Sequence, residues 1–135
     1  MLMKDIMKEG VVKCSSDTTV REAAKKITNN RVGCLVITNN KETVQGVLTK
    51  SDIVRSMAER KDADRCSVGE IMGKNVKSCT PATNVHDGAK MMADNRVKRL
   101  LVIDEEGELK GLVSISELAP CLNKEAEEIS DLFWK

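Results

Sequence analysis

Apolar and polar positions follow the same order twice along this chain. Val20, Ala23 and Ile27 recur at the spacing of one helix face, and residues 34–37 form an apolar run short enough for a buried strand. A second strand pattern follows at residues 44–48, before another helix start. The same order returns 65 residues later. The pattern predicts a short strand, a helix, a pair of strands and a second helix in each half.

The two halves align without a gap. Of the 48 pairs between residues 6–53 and 71–118, 14 are identical. The identities include positions with demanding backbone or core chemistry: Met7/Met72, Val20/Val85, Ala24/Ala89, Asn30/Asn95, Arg31/Arg96, Leu35/Leu100 and Gly46/Gly111. Self-similarity at a fixed period indicates an internal duplication. Two similar halves favour pseudo-twofold packing with two related clefts, which suit ligand binding better than a single catalytic arrangement.

The repeat predicts the domain boundaries. Residues 1–57 form the first repeat, residues 70–122 the second, and residues 58–69 a polar linker between them. Residues 123–135 form a tail, in which 124–135 is predicted to be helical.

Local signals mark the ends of the elements. Thr19 stands three residues before Glu22, the spacing of a capping box, and Asn84 with Asp87 repeats it. The second strand of each predicted strand pair carries a glycine, Gly46 or Gly111, where a missing side chain permits close approach of a neighbouring backbone or a ligand.

Composition excludes several classes of protein. The chain has 135 residues, 22 basic against 21 acidic, and a formal net charge of +1, so bulk charge indicates no nucleic-acid or membrane partner. It contains no apolar run of about 20 residues and no signal-peptide core at its start, so we expect a cytoplasmic protein.

The cysteines give little sign of a metal site. Cys14, Cys34, Cys66, Cys79 and Cys121 are odd in number and contain no C-x-x-C pair, and His86 is the only histidine. We therefore expect no metal. Cys14 and Cys79 occupy equivalent positions and are interpreted as small apolar residues, with a redox role as the alternative.

The run Gly-Val-Leu-Thr-Lys-Ser-Asp-Ile at 46–53 and the run Gly-Leu-Val-Ser-Ile-Ser-Glu-Leu at 111–118 each follow a capped helix and an apolar strand. In this order, residues 1–122 resemble a tandem cystathionine β-synthase (CBS) domain pair, or Bateman module. The resemblance implies an α+β fold, β-α-β-β-α twice, with pseudo-twofold symmetry. It also implies a sensor without catalysis or a required cofactor, which binds an adenine nucleotide or an S-adenosyl compound in an inter-repeat cleft.

The same resemblance implies partners. CBS pairs frequently associate as flat dimers, so a homodimer is expected, and a stand-alone module would act on an enzyme or transporter in trans. No membrane contact is expected, and nucleic acid is disfavoured.

For the first cleft, the resemblance assigns phosphate to the hydroxyl of Thr49 and the ribose hydroxyls to the carboxylate of Asp52. An alternative is that Asp52 is an ordinary first-turn helix residue. The segment from Met72 to Lys77 would contribute apolar and backbone contacts to adenine, although Met72 is equally suited to a core. Gly33 and Cys34 stand where the second repeat has two basic residues.

For the second cleft, the resemblance assigns Ser114 and Glu117, with a segment from Met7 to Val12 beside them. Glu117 is one methylene longer than aspartate, which casts doubt on an unaltered ribose here. Lys98 and Arg99 lie beside the implied phosphate path, where Arg99 can hold phosphate through its guanidinium. A solvated charge at a strand edge is the alternative for Arg99.

Two other functions compete with the sensor. A scaffold that dimerises or docks on a partner enzyme, with vestigial clefts, is motivated by Phe133-Trp134, the only aromatic residues, which suit packing or a subunit contact more than a ligand platform. An enzyme is disfavoured because no catalytic pair or triad can be nominated around His86.

Overall fold

The computed structural model describes residues 1–122, and the predicted tail helix with Phe133-Trp134 lies outside the described residues. The elements are α1 Met3–Ile6, β1 Lys13–Cys14, α2 Val20–Asn30, β2 Cys34–Thr38, β3 Val44–Thr49, α3 Lys50–Ala58, α4 Val68–Ile71, β4 Ser78–Cys79, α5 Val85–Asn95, β5 Arg99–Ile103 and β6 Leu109–Ser114. Residues 115–122 are also helical and are called α6. The predicted order of elements is confirmed in both halves, and the fold is α+β.

The chain divides into two compact units. The first unit is Val11–Val76, and the second unit combines Met1–Gly10 with residues 77–122 of the described chain. Each contains one three-stranded sheet, ordered β1-β2-β3 or β4-β5-β6. The short outer strand β1 or β4 runs parallel to the central strand, and the third strand pairs with it as an antiparallel hairpin.

The units are offset from the repeats because each takes its leading helical turn from the other half of the sequence. In the second unit, Met3 N–H donates to the Thr83 carbonyl at 2.7 Å, and Val85 N–H to the Met1 carbonyl at 3.0 Å. In the first unit, Val20 N–H donates in the same way to the Cys66 carbonyl at 3.0 Å. These bonds satisfy backbone donors at helix starts that would otherwise lack partners. The short helices α1 and α4, which the sequence pattern missed, lie in the two segments that pack with the other half. We call these segments, residues 1–10 and 66–76, the exchanged segments.

The capping predictions hold in part. Thr19 Oγ1 accepts a hydrogen bond from Glu22 N–H at 3.2 Å, as its spacing predicts. Asn84 also caps its helix, but its side chain accepts from His86 N–H at 2.8 Å instead of from Asp87. The shorter reach to the second helical position explains the difference, since either position is open to an N-cap side chain.

Each unit has an aliphatic core, and the two cores differ in the side chains that pack the short helix against the long helix. In the second unit, Met3 is fully buried, and a Cβ placed on Gly88 would lie only 2.7 Å from its sulfur. In the first unit the equivalent residues are Val68 and Ala23, both fully buried in one cluster. A larger residue on the short helix is thus matched by a smaller one on the long helix, which keeps the packed volume similar.

The predicted linker is not all at the surface. Cys66 and Val68 are 7% and 0% exposed, because α4 packs into the first unit's core. Within residues 1–122, no helix is both long and apolar enough to cross a membrane.

Candidate ligand sites

The first candidate site forms where β3 meets α3. Thr49 Oγ1 accepts from Asp52 N–H at 3.2 Å, and Asp52 Oδ2 accepts from Thr49 N–H at 2.8 Å. The two predicted ligand residues therefore form a reciprocal capping box. The alternative role of Asp52, as a first-turn helix residue, is present in the structure, and its contact with a ribose stays a prediction.

The other oxygen of the Asp52 carboxylate faces the surface cation Arg55. Arg55 Nη1 lies 3.2 Å from Asp52 Oδ1, and the exposed fractions of the two side chains are 62% and 12%. An ion pair with one mostly exposed partner contributes little to stability. Oδ1 can therefore exchange Arg55 for another hydrogen-bond donor at small cost.

The segment after α4 lies across β3, next to this helix start. Gly73 and Val47 exchange both backbone hydrogen bonds, at 2.9 and 3.0 Å. A Cβ on Gly46 would lie 2.7 Å from the Gly73 carbonyl oxygen and 2.8 Å from Met72 Sδ. The close approach that the glycine predicted is made by the chain's own segment, which places Met72 beside β3, and its contact with an adenine stays a prediction.

The remaining residues assigned to the first cleft belong to different units. Cys34 on β2 is the direct register partner of Thr49, and Gly33 precedes it at an exposed position. Lys77 belongs to the second unit, where its carbonyl accepts from Leu101 N–H at 3.0 Å.

A small polar cavity extends from Asp52 between α3 and α4. Its volume is about 170 Å³, and its lining is largely charged: Asp52, Arg55, Ser56, Glu59, Lys61, Glu70 and Ile71. Complete small-molecule sites are usually about 300–1,000 Å³. This cavity accommodates only part of a nucleotide.

The second candidate site repeats this geometry with different partners. Ser114 ends β6, and its hydroxyl donates to Glu117 Oε2. Among residues 1–122, Glu117 Oε1 has no hydrogen-bond partner; it is buried and lies 3.6 Å from Lys8 Nζ. The Glu117 side chain is 14% exposed, whereas that of Lys8 is 74% exposed. The longer acid is thus directed toward a side-chain hydroxyl and a lysine.

Two predicted basic residues lie beside Ser114. Arg99 on β5 is its direct register partner and is half-buried. Directly opposite residues of an antiparallel pair have neighbouring side chains. Lys98 is exposed, and its backbone carbonyl accepts from Ile115 N–H at the start of α6, at 2.9 Å. Phosphate contact by either residue stays a prediction.

The segment after α1 crosses β6 as its counterpart crosses β3. Lys8 and Leu112 exchange backbone hydrogen bonds at 2.9 and 3.0 Å, and Met7 Sδ would lie 2.8 Å from a Cβ on Gly111. The structure therefore brings Met7 to the second site. Val12 belongs to the first unit and packs against its core.

Sequence reasoning missed Lys8 and Arg55 as the cations that pair with the two acids. No sequence signal identified Lys8. Its repeat equivalent is Gly73, but only 14 of the 48 aligned pairs are identical, so the change from glycine to lysine does not by itself point to Glu117.

The cysteine thiols with shifted pKa values are poorly reactive near neutral pH. Burial raises the pKa of the Cys79 thiol to about 11 and also raises the pKa values of Cys14 and Cys66. Thiols with raised pKa values are mainly protonated near neutral pH and are poor nucleophiles. This chemistry favours the interpretation of these cysteines as small apolar residues.

The carboxylates of Asp104, Glu106 and Glu108 come within 4.8 Å of one another in the β5–β6 turn. Asp104 Oδ1 accepts from the backbone N–H groups of Glu106 and Glu108 at 3.0 and 2.9 Å. Lys110 Nζ also lies 3.1 Å from Glu108 Oε2. The cluster is explained by turn formation, since aspartate commonly hydrogen-bonds the backbone two residues on.

The profile of the CBS domain matches the sequence twice, at residues 3–59 and 68–123. The chain belongs to the CBS domain family. An uncharacterized 17.7 kDa protein of Acidianus ambivalens is 36% identical over 121 residues, which cover 84% of this chain and 73% of that protein.

Solved structures of CBS domain proteins share the fold. A CBS domain protein of Pyrobaculum aerophilum complexed with AMP is 27% identical, with a TM-score of 0.78 over 87% of this chain and 89% of that chain. A CBS domain pair in complex with 5′-methylthioadenosine and S-adenosyl-L-methionine is 23% identical, with a TM-score of 0.81 over 93% of this chain and 98% of that chain. The latter likeness concerns the fold alone.

Proposed function

We propose that this CBS protein is a non-catalytic regulatory module that binds an adenosine-containing ligand at Thr49 and Asp52. Ligand occupancy is passed on through the geometry of a homodimer or to a partner enzyme or transporter in trans. The observation that carries the proposal is the Thr49–Asp52 capping box, which holds a largely buried carboxylate at a helix start beside the Met72–Gly73 segment.

The chemistry of this place suits a nucleotide. The Asp52 carboxylate is an acceptor for the two vicinal hydroxyls of a ribose, once the exposed Arg55 exchanges away. The start of α3 favours an anionic phosphate through the helix dipole. Met72 offers a polarizable apolar contact to a base. The AMP complex of the Pyrobaculum relative supports an adenosine ligand.

Isothermal titration of the full chain with AMP, ADP, ATP, 5′-methylthioadenosine and S-adenosylmethionine tests the proposal. For a ligand that binds, Asp52→Ala is expected to weaken affinity by about 10- to 150-fold, because a charged hydrogen-bond acceptor is lost. Asp52→Asn keeps an acceptor for Thr49 N–H but removes the charge, and we expect it to weaken binding as well.

Asp5→Asn is the matched control. Asp5 Oδ2 accepts from Leu2 N–H at 2.8 Å, the same capping role that Asp52 has, but in the second unit. An unchanged affinity in Asp52→Ala, or an equal loss in Asp5→Asn, would contradict the ribose assignment.

A scaffold that docks or dimerises is the second candidate function. Val54 and Met57 lie three residues apart on α3, with exposed fractions of 64% and 70%. Exposed apolar side chains on one helix face favour protein contacts. The titration discriminates between the functions, because only the scaffold is compatible with the absence of binding by every ligand tested.

A further inference from the structure

We propose that Arg55 competes with the ligand's ribose for Asp52, and that Glu70 accepts Arg55 when the ribose replaces it. This inference rests on the proposed function and adds a means of setting the affinity of that same site. Arg55 and the ribose use the same carboxylate oxygen in turn, so the strength of the Arg55 contact lowers the affinity for the ligand.

The Asp52 carboxylate has one fixed oxygen and one exchangeable oxygen. Oδ2 accepts from Thr49 N–H at 2.8 Å, within the capping box that starts α3. Oδ1 accepts from Arg55 Nη1 at 3.2 Å. The Asp52 side chain is only 12% exposed, so a ribose reaches it through the same small opening that Arg55 occupies. A ribose hydroxyl that donates to Oδ1 must therefore displace the guanidinium.

The polar cavity between α3 and α4 offers Arg55 other acceptors. Its lining contains three carboxylates, those of Asp52, Glu59 and Glu70, against the two cations Arg55 and Lys61. Arg55 is 62% exposed, so its side chain can change rotamer without breaking a buried contact. Glu59 follows Arg55 by four residues, and Glu70 faces it across the cavity from α4. A cation released from Asp52 thus stays close to a second acid.

Glu70 is the better placed of the two acceptors, because its own hydrogen bonds hold it. Glu70 Oε2 accepts from Ser67 N–H at 2.8 Å and from the Ser67 hydroxyl at 3.3 Å. The bond from Ser67 N–H lowers the pKa of Glu70, which keeps the carboxylate ionised near neutral pH. A side chain that is already held loses less entropy when it forms an ion pair. A pair between Arg55 and Glu70 also joins α3 to α4, which leads into the Met72–Gly73 segment.

The test titrates the full chain with AMP and with its 2′,3′-dideoxy form, which has the same phosphate but lacks both ribose hydroxyls. Arg55→Gln removes the competing charge. We expect it to tighten AMP binding about two- to fivefold, the upper range for one exposed ion pair, and to change binding of the dideoxy form less than about twofold. The gain should shrink between about 50 mM and 300 mM salt, because salt screens an exposed pair.

A titration with 5′-methylthioadenosine separates the ribose from the phosphate. This ligand keeps both ribose hydroxyls and has no phosphate, so any attraction between Arg55 and a phosphate is absent. We expect Arg55→Gln to tighten its binding by the same factor as that of AMP.

Glu70→Gln tests the second acceptor. The glutamine keeps a carbonyl oxygen for Ser67 N–H but removes the charge that attracts Arg55. We expect AMP binding to weaken about twofold in the wild-type background and to stay unchanged in the Arg55→Gln background. Damage to α4 would weaken binding equally in both backgrounds, which would remove Glu70 from this inference.

Two variants serve as controls. Arg65 forms a similar pair in the same unit, with its Nε 3.9 Å from Asp62 Oδ2 three residues away and its side chain 89% exposed. We expect Arg65→Gln to bind AMP with wild-type affinity. Arg55→Lys keeps the charge, and its affinity should stay within about twofold of the wild type.

The outcomes distinguish this inference from the proposed function. If Asp52→Ala weakens AMP binding but Arg55→Gln leaves it unchanged, weakens it, or tightens AMP and its dideoxy form equally, Arg55 is not a competitor and the proposed function stands. If the wild-type chain binds neither AMP nor 5′-methylthioadenosine, no ribose displaces Arg55 and the inference is wrong, while binding of another of the five ligands leaves the proposed function standing. The absence of binding by all five overturns both.

Discussion

The first and second repeats place an acid at the same point of the same helix, yet different partners hold the two carboxylates. Asp52 bonds the backbone of Thr49 and pairs with Arg55 on its own helix. Glu117 bonds the Ser114 side chain and faces Lys8 from the exchanged segment. Around both acids the backbone pairing is the same. The comparison indicates that the duplication preserved the scaffold and let the sites diverge.

The glycines opposite the exchanged segments should give the largest effect. A Cβ at Gly46 meets the Gly73 carbonyl at 2.7 Å and Met72 Sδ at 2.8 Å, whereas at Gly111 it meets Met7 Sδ at 2.8 Å and the Lys8 carbonyl at 2.9 Å. We expect alanine at either position to lower the free energy of unfolding by about 2–3 kcal/mol, as overpacking against backbone does. Urea denaturation measures the change.

Gly73→Ala is the control for this pair, since its Cβ would meet only the Val47 carbonyl, at an ordinary 3.5 Å. We expect a change under about 1 kcal/mol. Equal stability of all three variants would show that the close approach is not a constraint.

The second-largest effect concerns the matched side-chain sizes on the short helix α1 and the long helix α5. Gly88→Ala gains about 1 kcal/mol of helix propensity but collides with Met3 Sδ at 2.7 Å, so we expect a net loss of about 1 kcal/mol. In a Met3→Val background, which copies the Val68–Ala23 pair, the same substitution should be neutral or stabilising. A double-mutant cycle measures this coupling.

Additive effects of Met3→Val and Gly88→Ala would show that the two residues do not compensate for each other. The first unit offers the reverse experiment. Ala23→Gly should destabilise it by a cavity and by lost helix propensity, and Val68→Met should recover part of the loss.

The smallest effect is on the pH dependence of stability, which should differ between the equivalent residues Cys14 and Cys79. Burial raises the pKa of Cys79 to about 11 from an ordinary 9.0, whereas at Cys14 a hydrogen bond from Thr18 and the charge of Lys26 oppose the increase from burial. The unfolded chain releases the Cys79 proton at lower pH than the folded one. Its contribution to stability is thus complete below pH 9.0 and is lost as the pH rises to about 11.

Cys79→Ala should therefore flatten the alkaline fall of the unfolding free energy, and Cys14→Ala should flatten it less. Denaturation of both variants between about pH 8 and pH 11 measures the difference. Equal slopes for the wild type and Cys79→Ala would remove burial of the thiol as a cause.

Much of the fold could be predicted because its signals are local. The spacing of Val20, Ala23 and Ile27 specifies a helix face, and the apolar run at 34–37 specifies a buried strand. The four-residue helices α1 and α4 were missed, since a single turn is too short to show periodicity. Asn84 capped through a different backbone group than its spacing suggested.

The candidate sites could be predicted only as positions. The resemblance pointed to Thr49, Asp52, Ser114 and Glu117, and the structure adds that these residues bond each other in two different ways. The cations that pair with the two acids, Lys8 and Arg55, were not predicted. Lys8 is more than 100 positions from Glu117, and a salt bridge between distant residues leaves no periodic pattern.

The sequence by itself determined the duplication, the order of elements and the glycines in the third strands, because each depends on local spacing or on a position that tolerates no side chain. Only the tertiary structure decided that residues 1–10 pack with the second half and that Lys8 thereby meets Glu117. The physical reason is that segments distant in sequence bury their short helices wherever a complementary core is available, and that choice depends on packing in three dimensions.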